Sequence, residues 1–475
     1  MIIPTKEQIE AEIFKRSFYK FFKEAVKVLE PDTIWYDNWH IEYLCNELQK
    51  ETIRIKNKEP KTKDLLINIP PRSLKSYITT ITWNAWSWTF YPELTFLSSS
   101  HTDSLALEHA TQTRRLIESD WYQKRWGHLY KLVGDQNTKS NFRNDKGGYR
   151  IAKSVGGSTT GSGAMIIICD DPLKANPSDN ELQTANDWWF KTMSTRLNDQ
   201  ELGLRVVVMQ RLHEFDTTGE ILNGKGTYNK IIIPATTETP VYPENLKENY
   251  INGLFFPSRF SKQVLDSLKV TLGSLEYTGQ YLQQPAPADG DLIKKEYFNN
   301  LFDKNDLPKN LVVNFYSDTG YGKEGSDNSA TLAYTFFENN LYIISTNRVN
   351  LSLPDFTNHY QSYIKANNHT PQSLCYFEPK ATGISVVQTL KKLGINAKED
   401  KPPTESKKSR VQSILPFLES GRVFFNQNFN FDDLINECLK FPNGKNDDLV
   451  DCLSAVCRLV FITGGFSDAF DNLFN

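Results

Sequence analysis

At 475 residues the chain is too long for one ordinary hydrophobic core and comfortable for two domains. Hydrophobic residues at 39%, aromatics at 12% and charged residues at 23% describe a soluble globular protein. No apolar run reaches the about 20 residues of a membrane span, so no membrane role is expected. The formal net charge of −3 gives no global attraction to a polyanion; a nucleic-acid partner would need local basic patches or bound metal ions.

Met1 to Leu29 reads as one charged amphipathic helix rather than a secretion signal. The six cysteines (Cys45, Cys169, Cys375, Cys438, Cys452 and Cys457) show neither CxxC pairing nor Cys/His metal spacing, which fits reduced, buried thiols in a cytosolic setting. From Leu65 to about Pro234, apolar strands alternate with helical stretches: Leu65–Ile69, Leu94–Leu97, Met165–Cys169, Arg205–Met209 and Ile231–Ile233. Continuous apolar strands separated by helices indicate a mostly parallel sheet covered on both faces.

The first of these strands runs into Pro70-Pro71-Arg72-Ser73-Leu74-Lys75-Ser76 and then a helical segment from about Tyr77. A strand, a tight loop, Lys-Ser and a helix can wrap backbone N–H groups and a lysine around a phosphate, leaving the hydroxyl for Mg²⁺. An ordinary strand-to-helix connection is the alternative, since the usual glycines are missing. Strand Met165–Cys169 delivers Asp170 and Asp171 at its C-terminal end. In phosphoryl-transfer enzymes of this architecture, the first acid helps hold Mg²⁺ and the second polarises the attacking water. The plainer alternative is an acidic turn before Pro172. Tryptophans 83, 86 and 88 follow at partly helical spacing and read as core.

The Pro/Gly-rich stretch Gln283–Gly290 reads as a linker. Strand Leu311–Ser317 then ends at Asp318; strands Ala330–Phe336 and Leu341–Ser345 flank a hairpin turn at Glu338-Asn339-Asn340. Helix Pro354–Asn367, strand Leu374–Phe377 ending at Glu378, helix Ile384–Leu393, strand Arg422–Phe425 and a final helix, Leu449–Val460, complete an RNase H-like order. The final helix opens with Asp447, Asp448 and Asp451. These lie on one helical face, where like charges repel unless a cation joins them. A solvated acidic helix N-terminus is the alternative. In the RNase H-like arrangement Asp318, Glu378 and the Asp447/Asp448 pair converge. Two hard cations about 3.5–4 Å apart would then activate water and stabilise the leaving oxygen of a phosphodiester. Oxygen ligands favour Mg²⁺ or Mn²⁺ over zinc. Lys407, Lys408 and Arg410 form a basic cluster in an expected loop before a helix, suited to DNA phosphates.

The runs Trp39–Glu42, Ile69–Ser76, Gly156–Ala164, Cys169–Pro172 and Gln210–Asp216 resemble the ATPase half of large terminase subunits of tailed bacteriophages, which package viral DNA into a procapsid. Ser317–Thr319, Asp327–Ala330, Phe377–Lys380, Lys407–Arg410, Gly421–Val423 and Asn446–Asp451 resemble the nuclease half. The resemblance implies an α/β chain with a P-loop-type ATPase domain at 1–285, a linker at 286–305 and an RNase H-like nuclease domain at 306–475. It assigns the ATP site to Arg72, Ser73, Leu74, Lys75, Ser76, Asp170 and Arg211, with Asp171 catalytic and the Trp39-His40 region near the adenine. Arg211 and His213 match the motif that links nucleotide state to motion. Asp318, Glu378 and Asp448 become catalytic metal ligands, with Asp447 and Asp451 beside them; Asp327 is read as a turn residue. Leu74 replaces a common Gly, Ser162 a frequent basic residue and Leu212 a common Trp.

The implied cofactors are ATP and two Mg²⁺ or Mn²⁺ ions. The implied partners are double-stranded DNA, a portal protein, a small terminase subunit and further copies in a ring on the portal, in the host cytoplasm. Two other readings compete: a scaffolding protein with a degenerate phosphate loop, and a helicase-like ATPase-nuclease of DNA repair.

Overall fold

The computed structural model describes residues 4–134, 140–157, 161–285, 292–320, 328–379, 381–402, 405–442, 444 and 446–463. Asp327, Lys380, residues 158–160 of the Gly/Ser run and residues 286–291 of the expected linker lie outside the described residues. The chain divides into two compact units, Met1–Lys269 with Ser274–Ala288, and Val270–Gly273 with Asp289–Asn475.

The first unit opens with two helices rather than the single one expected. Lys6–Arg16 stops at Ser17, whose extended backbone (φ −141°) ends one helix while its hydroxyl caps the next, Phe18–Leu29, by accepting from Lys20 N at 3.3 Å. Seven strands follow: β1 Asp64–Asn68, β2 Phe96–Ser100, β3 Asn141–Arg143, β4 Tyr149–Ser154, β5 Ile166–Asp170, β6 Leu204–Met209 and β7 Tyr228–Ile232. They lie in the order β3-β4-β2-β5-β6-β1-β7, and every pair except β3/β4 is parallel. Strands β1, β2 and β5 are buried along their whole length, as a parallel sheet covered on both faces requires. Trp83, Trp86 and Trp88 are core residues, and each indole N–H finds an acceptor: Thr52 Oγ1, Phe14 O and Leu94 O.

The second unit carries β8 Leu301–Phe302, β9 Asn314–Asp318, β10 Ser329–Phe337, β11 Asn340–Val349, β12 Cys375–Phe377, β13 Ala397–Glu399 and β14 Val423–Asn426. Their order is β13-β12-β9-β10-β11-β14-β8, antiparallel within β9-β10-β11 and parallel elsewhere. The hairpin between β10 and β11 turns at Glu338 and Asn339, both left-handed (φ 46° and 66°), the geometry that matches strand twist. One face of the sheet packs Phe315, Ala333 and Ile344 against Phe356, Tyr360, Val386 and Leu390 of the helices Leu353–Ala366 and Ala381–Lys392. The last helix, Asp448–Phe461, is buried nearly all round and packs on β9 and β10.

The basic cluster is not in a loop. Ser406 accepts from Ser409 N at 3.2 Å and caps a helix that already begins at Lys407 and runs to Glu419. All six cysteines are free and buried. No helix among the described residues is long and apolar enough to cross a membrane.

Candidate active sites

In the first unit, β1 ends at Asn68 and the chain reverses through Ile69–Leu74 into a helix that starts at Lys75. Arg72 and Leu74 take φ of 61° and 68°. Left-handed backbone costs an L residue about 1–2 kcal/mol, so glycine would be the unstrained choice at Leu74, and the loop keeps its path without one. Asp171 is left-handed too (φ 46°), so three residues of this site store backbone strain.

The helix brings Lys75 and Ser76 to the ends of the central strands. Lys75 Nζ lies 3.0 Å from Asp171 Oδ2 and donates to Gln210 Oε1; Ser76 Oγ donates to Asp170 Oδ1 at 3.1 Å. Thr80, one turn on, donates to Asp170 Oδ2 at 2.7 Å, and Gln210 N donates to Asp171 Oδ1 at 3.3 Å. Burial pushes both carboxyls above their usual range, and the Lys75 ammonium opposes the rise. Arg150 is fully buried nearby. It donates from Nη1 to Thr80 O at 2.6 Å, and burial lowers its guanidinium to about 9.

Ser73 is fully buried and its carbonyl accepts from His40 Nε2 at 3.0 Å. Asn38 Nδ2 donates to His40 Nδ1 at 2.6 Å, which makes the imidazole neutral with its proton on Nε2. Asn38 and Trp39 are both anchored on Phe255 O, at 2.8 and 3.0 Å. His40 thus props the Ile69–Leu74 loop, with Phe255 and Phe256 each 5.2 Å from its ring. A pocket of 220 Å³ opens beside Leu74, lined by Phe22, Trp35, Tyr36 and Ile41 among others.

Two of the expected nucleotide residues stand apart from this cluster. Arg72 is exposed on the loop. Arg211 is buried and turned onto Asp216, at 2.9 and 3.0 Å, within its own loop; Asp216 also caps helix Thr217–Leu222. Gln210, Thr80, Arg150 and the role of His40 were missed by sequence reasoning. Only Gln210 carried a signal, as a polar residue just past the end of a central apolar strand.

In the second unit, the register that pairs Phe377 with Ser317, and the bond from Glu378 N to Ser317 O at 2.9 Å, put Glu378 beside Asp318 on neighbouring strand ends. Cys452 Sγ reaches Ala330 O at 3.7 Å, and Ala330 is the β10 partner of Asp318. Asp448 lies one helical turn before Cys452 and therefore sits over the same strand ends. Asp318, Glu378 and Asp448 are 4%, 7% and 8% exposed, so all three carboxyls sit where charge needs a partner.

The other two aspartates are held by cations. Lys407 Nζ bridges Asp447 Oδ2 at 2.7 Å and Asp451 Oδ2 at 2.9 Å; Arg410 reaches Asp451 Oδ1 at 3.1 Å and Glu378 Oε1 at 3.9 Å. Burial raises the Asp451 carboxyl, opposed by Lys407 and Arg410. Among the described residues no group of three or more His, Cys, Asp and Glu side chains is arranged as a ready metal cage. The donor types themselves suit hard cations: Asp318 and Glu378 at neighbouring strand ends and Asp448 on the last helix offer oxygen alone.

The last helix has no cap from Asp447. Glu437 caps it instead, accepting from Leu449 N at 2.6 Å and Val450 N at 3.2 Å through Oε1, while Oε2 accepts from Arg348 at 2.9 Å. Nothing near Glu437 in sequence announces that role.

No protein-family model matches the sequence, and no curated protein does either. Solved structures do match. The large terminase of a thermophilic bacteriophage is similar over 87% of this chain and 98% of its own, at 11% identity and a TM-score of 0.50. The large terminase of bacteriophage HK97 matches over 88% and 92% at 12% identity, with a TM-score of 0.36. The large terminase nuclease of a second thermophilic phage matches over 35% and 94% at 14% identity, with a TM-score of 0.27. Only the first is close enough to carry weight, and it establishes a shared fold: two α/β units arranged along the chain as in a large terminase.

Proposed function

We propose that the chain is the motor subunit of a viral DNA-packaging machine. Residues 1–285 hydrolyse ATP to drive duplex DNA into a procapsid, a linker follows from 286, and the rest of the chain to 475, whose sheet already includes β8 at Leu301–Phe302, cuts concatemeric DNA. The observation that carries this reading is the convergence of Lys75, Ser76, Asp170 and Asp171 at the C-terminal edge of a parallel sheet. Ligands collect at that edge in open α/β sheets, and this residue set is the one phosphoryl transfer needs.

Lys75 would take the nucleotide's phosphate oxygens, and Arg72, exposed on the loop, would add a second positive charge. Drawing the ammonium to phosphate removes it from Asp171, whose freed carboxylate orients the attacking water and accepts its proton. Gln210 contacts both Lys75 and Asp171, so it would sense that exchange. Ser76 and Asp170 would hold Mg²⁺, which supplies neutralisation of phosphate charge. The pocket beside Leu74, where Phe22, Trp35 and Tyr36 stand among Lys23, Glu24, Lys27 and Asp37, would take the adenine, with the Trp39-His40 region supporting the loop. Arg211, locked to Asp216, would serve the link between the site and motion rather than bind phosphate directly.

In the nuclease half Asp318, Glu378 and Asp448 would hold one or two Mg²⁺ or Mn²⁺ ions, whose chemistry is activation of water and stabilisation of the leaving oxygen. Asp447 and Asp451 orient the site through Lys407 and Arg410. The partners that follow from the reading are a portal protein, a small terminase subunit and further copies in a ring, in the host cytoplasm. Lys75→Ala in the full chain is expected to abolish DNA-stimulated ATP hydrolysis and leave plasmid cleavage intact. Asp318→Asn is expected to do the reverse. Loss of both activities in either variant would overturn the assignment of two separate sites.

A further inference from the structure

We infer that Lys407 is an exchangeable counter-ion of the nuclease site: its ammonium holds Asp447 and Asp451 while no metal is bound, and a divalent cation entering the carboxylate cluster displaces it. The inference rests on the metal-nuclease reading of the second unit and adds a residue to it.

The two cations on helix Lys407–Glu419 divide the work by burial. Arg410 has only 8% of its side chain exposed and sits between Asp451 and Glu378, so it is locked into the site. Lys407, one turn earlier, has 46% of its side chain exposed and spans Asp447 and Asp451 at 2.7 and 2.9 Å. A buried aspartate stripped of all counter-charge costs several kcal/mol, and Asp451 is 3% exposed. With Arg410 fixed, Asp451 stays paired when Lys407 leaves. A lysine is strongly hydrated and flexible, so returning its head to water costs little. Asp447 is itself 38% exposed and tolerates the exchange. The arrangement therefore keeps the acidic helix N-terminus folded without metal, yet leaves one of its two counter-ions free to go. Asp448, between the two aspartates in sequence, belongs to the cluster that would gain the ion. Lys408, the neighbouring lysine, takes no part in these ion pairs.

The test is Mn²⁺ titration of the nucleotide-free full chain by calorimetry, paired with thermal unfolding in chelator and in Mn²⁺. Lys407→Met should bind Mn²⁺ roughly tenfold more tightly, because one positive charge beside the incoming cation is gone. It should also unfold earlier in chelator and gain more from the metal than the parent chain does. Lys408→Met, which removes the same charge one residue away, should leave both readouts unchanged. Lys407→Arg, which keeps a cation and the helix, should not tighten Mn²⁺. Equal tightening in the Lys407 and Lys408 variants would reduce the effect to general charge and overturn the exchange, as would unaltered or weaker binding in Lys407→Met. If the parent chain shows no Mn²⁺ binding that Asp318→Asn removes, the metal-nuclease reading itself falls.

Discussion

His40 offers a measurement that probes the support of the Ile69–Leu74 loop without nucleotide. Its imidazole is completely buried, neutral, and hydrogen-bonded at both nitrogens. Burial lowers it from an ordinary 6.5 to about 4. Above pH 6.5 folded and unfolded chains both carry a neutral ring. Between 6.5 and about 4 the unfolded chain takes up a proton that the folded chain refuses, so stability is lost as pH falls through that window. At about 1.36 kcal/mol per pH unit the full loss is about 3 kcal/mol. His40→Gln can place an amide N–H near the position of Nε2, keeping the bond to Ser73 O while removing the titration. The expected result is that wild type loses about 3 kcal/mol more than His40→Gln between pH 7 and pH 4. His109, also lowered to about 4 by burial, titrates in both proteins and cancels in the comparison. All nine tryptophans lie between Trp35 and Trp189, so tryptophan fluorescence during urea unfolding reports the first unit specifically. Parallel pH profiles for the two proteins would refute the reasoning. His40→Ala should instead lose roughly 3–5 kcal/mol at pH 7, from the cavity and the orphaned Ser73 carbonyl, and should weaken ATP binding where the Gln variant does not.

Leu74→Gly should relieve left-handed strain and raise the stability of the first unit by about 1 kcal/mol, read by the same fluorescence, with ATP turnover undiminished; Leu74→Ala should give no gain. Glu437→Ala removes the cap of the last helix and leaves Arg348 to Asp433 alone, at 3.5 Å, for an expected loss of roughly 1–2 kcal/mol and a fall in cleavage, measured by calorimetric unfolding and plasmid nicking. Asp216→Ala should leave Arg211 as an unpaired buried charge and cost roughly 3–5 kcal/mol; a loss under about 1 kcal/mol would show the pair to be dispensable.

Much of the architecture was legible because it is local. Apolar strands of continuous burial, the Glu338-Asn339 turn and the strand-loop-helix around Lys75 announce themselves within a few residues. Adjacent acids at strand ends gave Asp170 and Asp171, and the same logic gave Asp318 and Glu378. The sequence predicts one helix at the start because Ser17 is a weak break in an otherwise helical pattern. It predicts a loop at the basic cluster because a lone Ser406 cap leaves little trace in sequence.

The sequence by itself determined the long apolar strands and the acids that follow them, since period and turn chemistry act over a few residues; β3, β4, β8 and β13 carry no such apolar run and only the sheets reveal them. Tertiary structure alone decided what stands against those acids: Gln210 on Lys75 across 135 residues, His40 under Ser73 across 33, and Lys407 on Asp447 across 40. The physical reason is that a buried charge or carbonyl must find a partner, and the fold rather than the chain order chooses which one lies within reach.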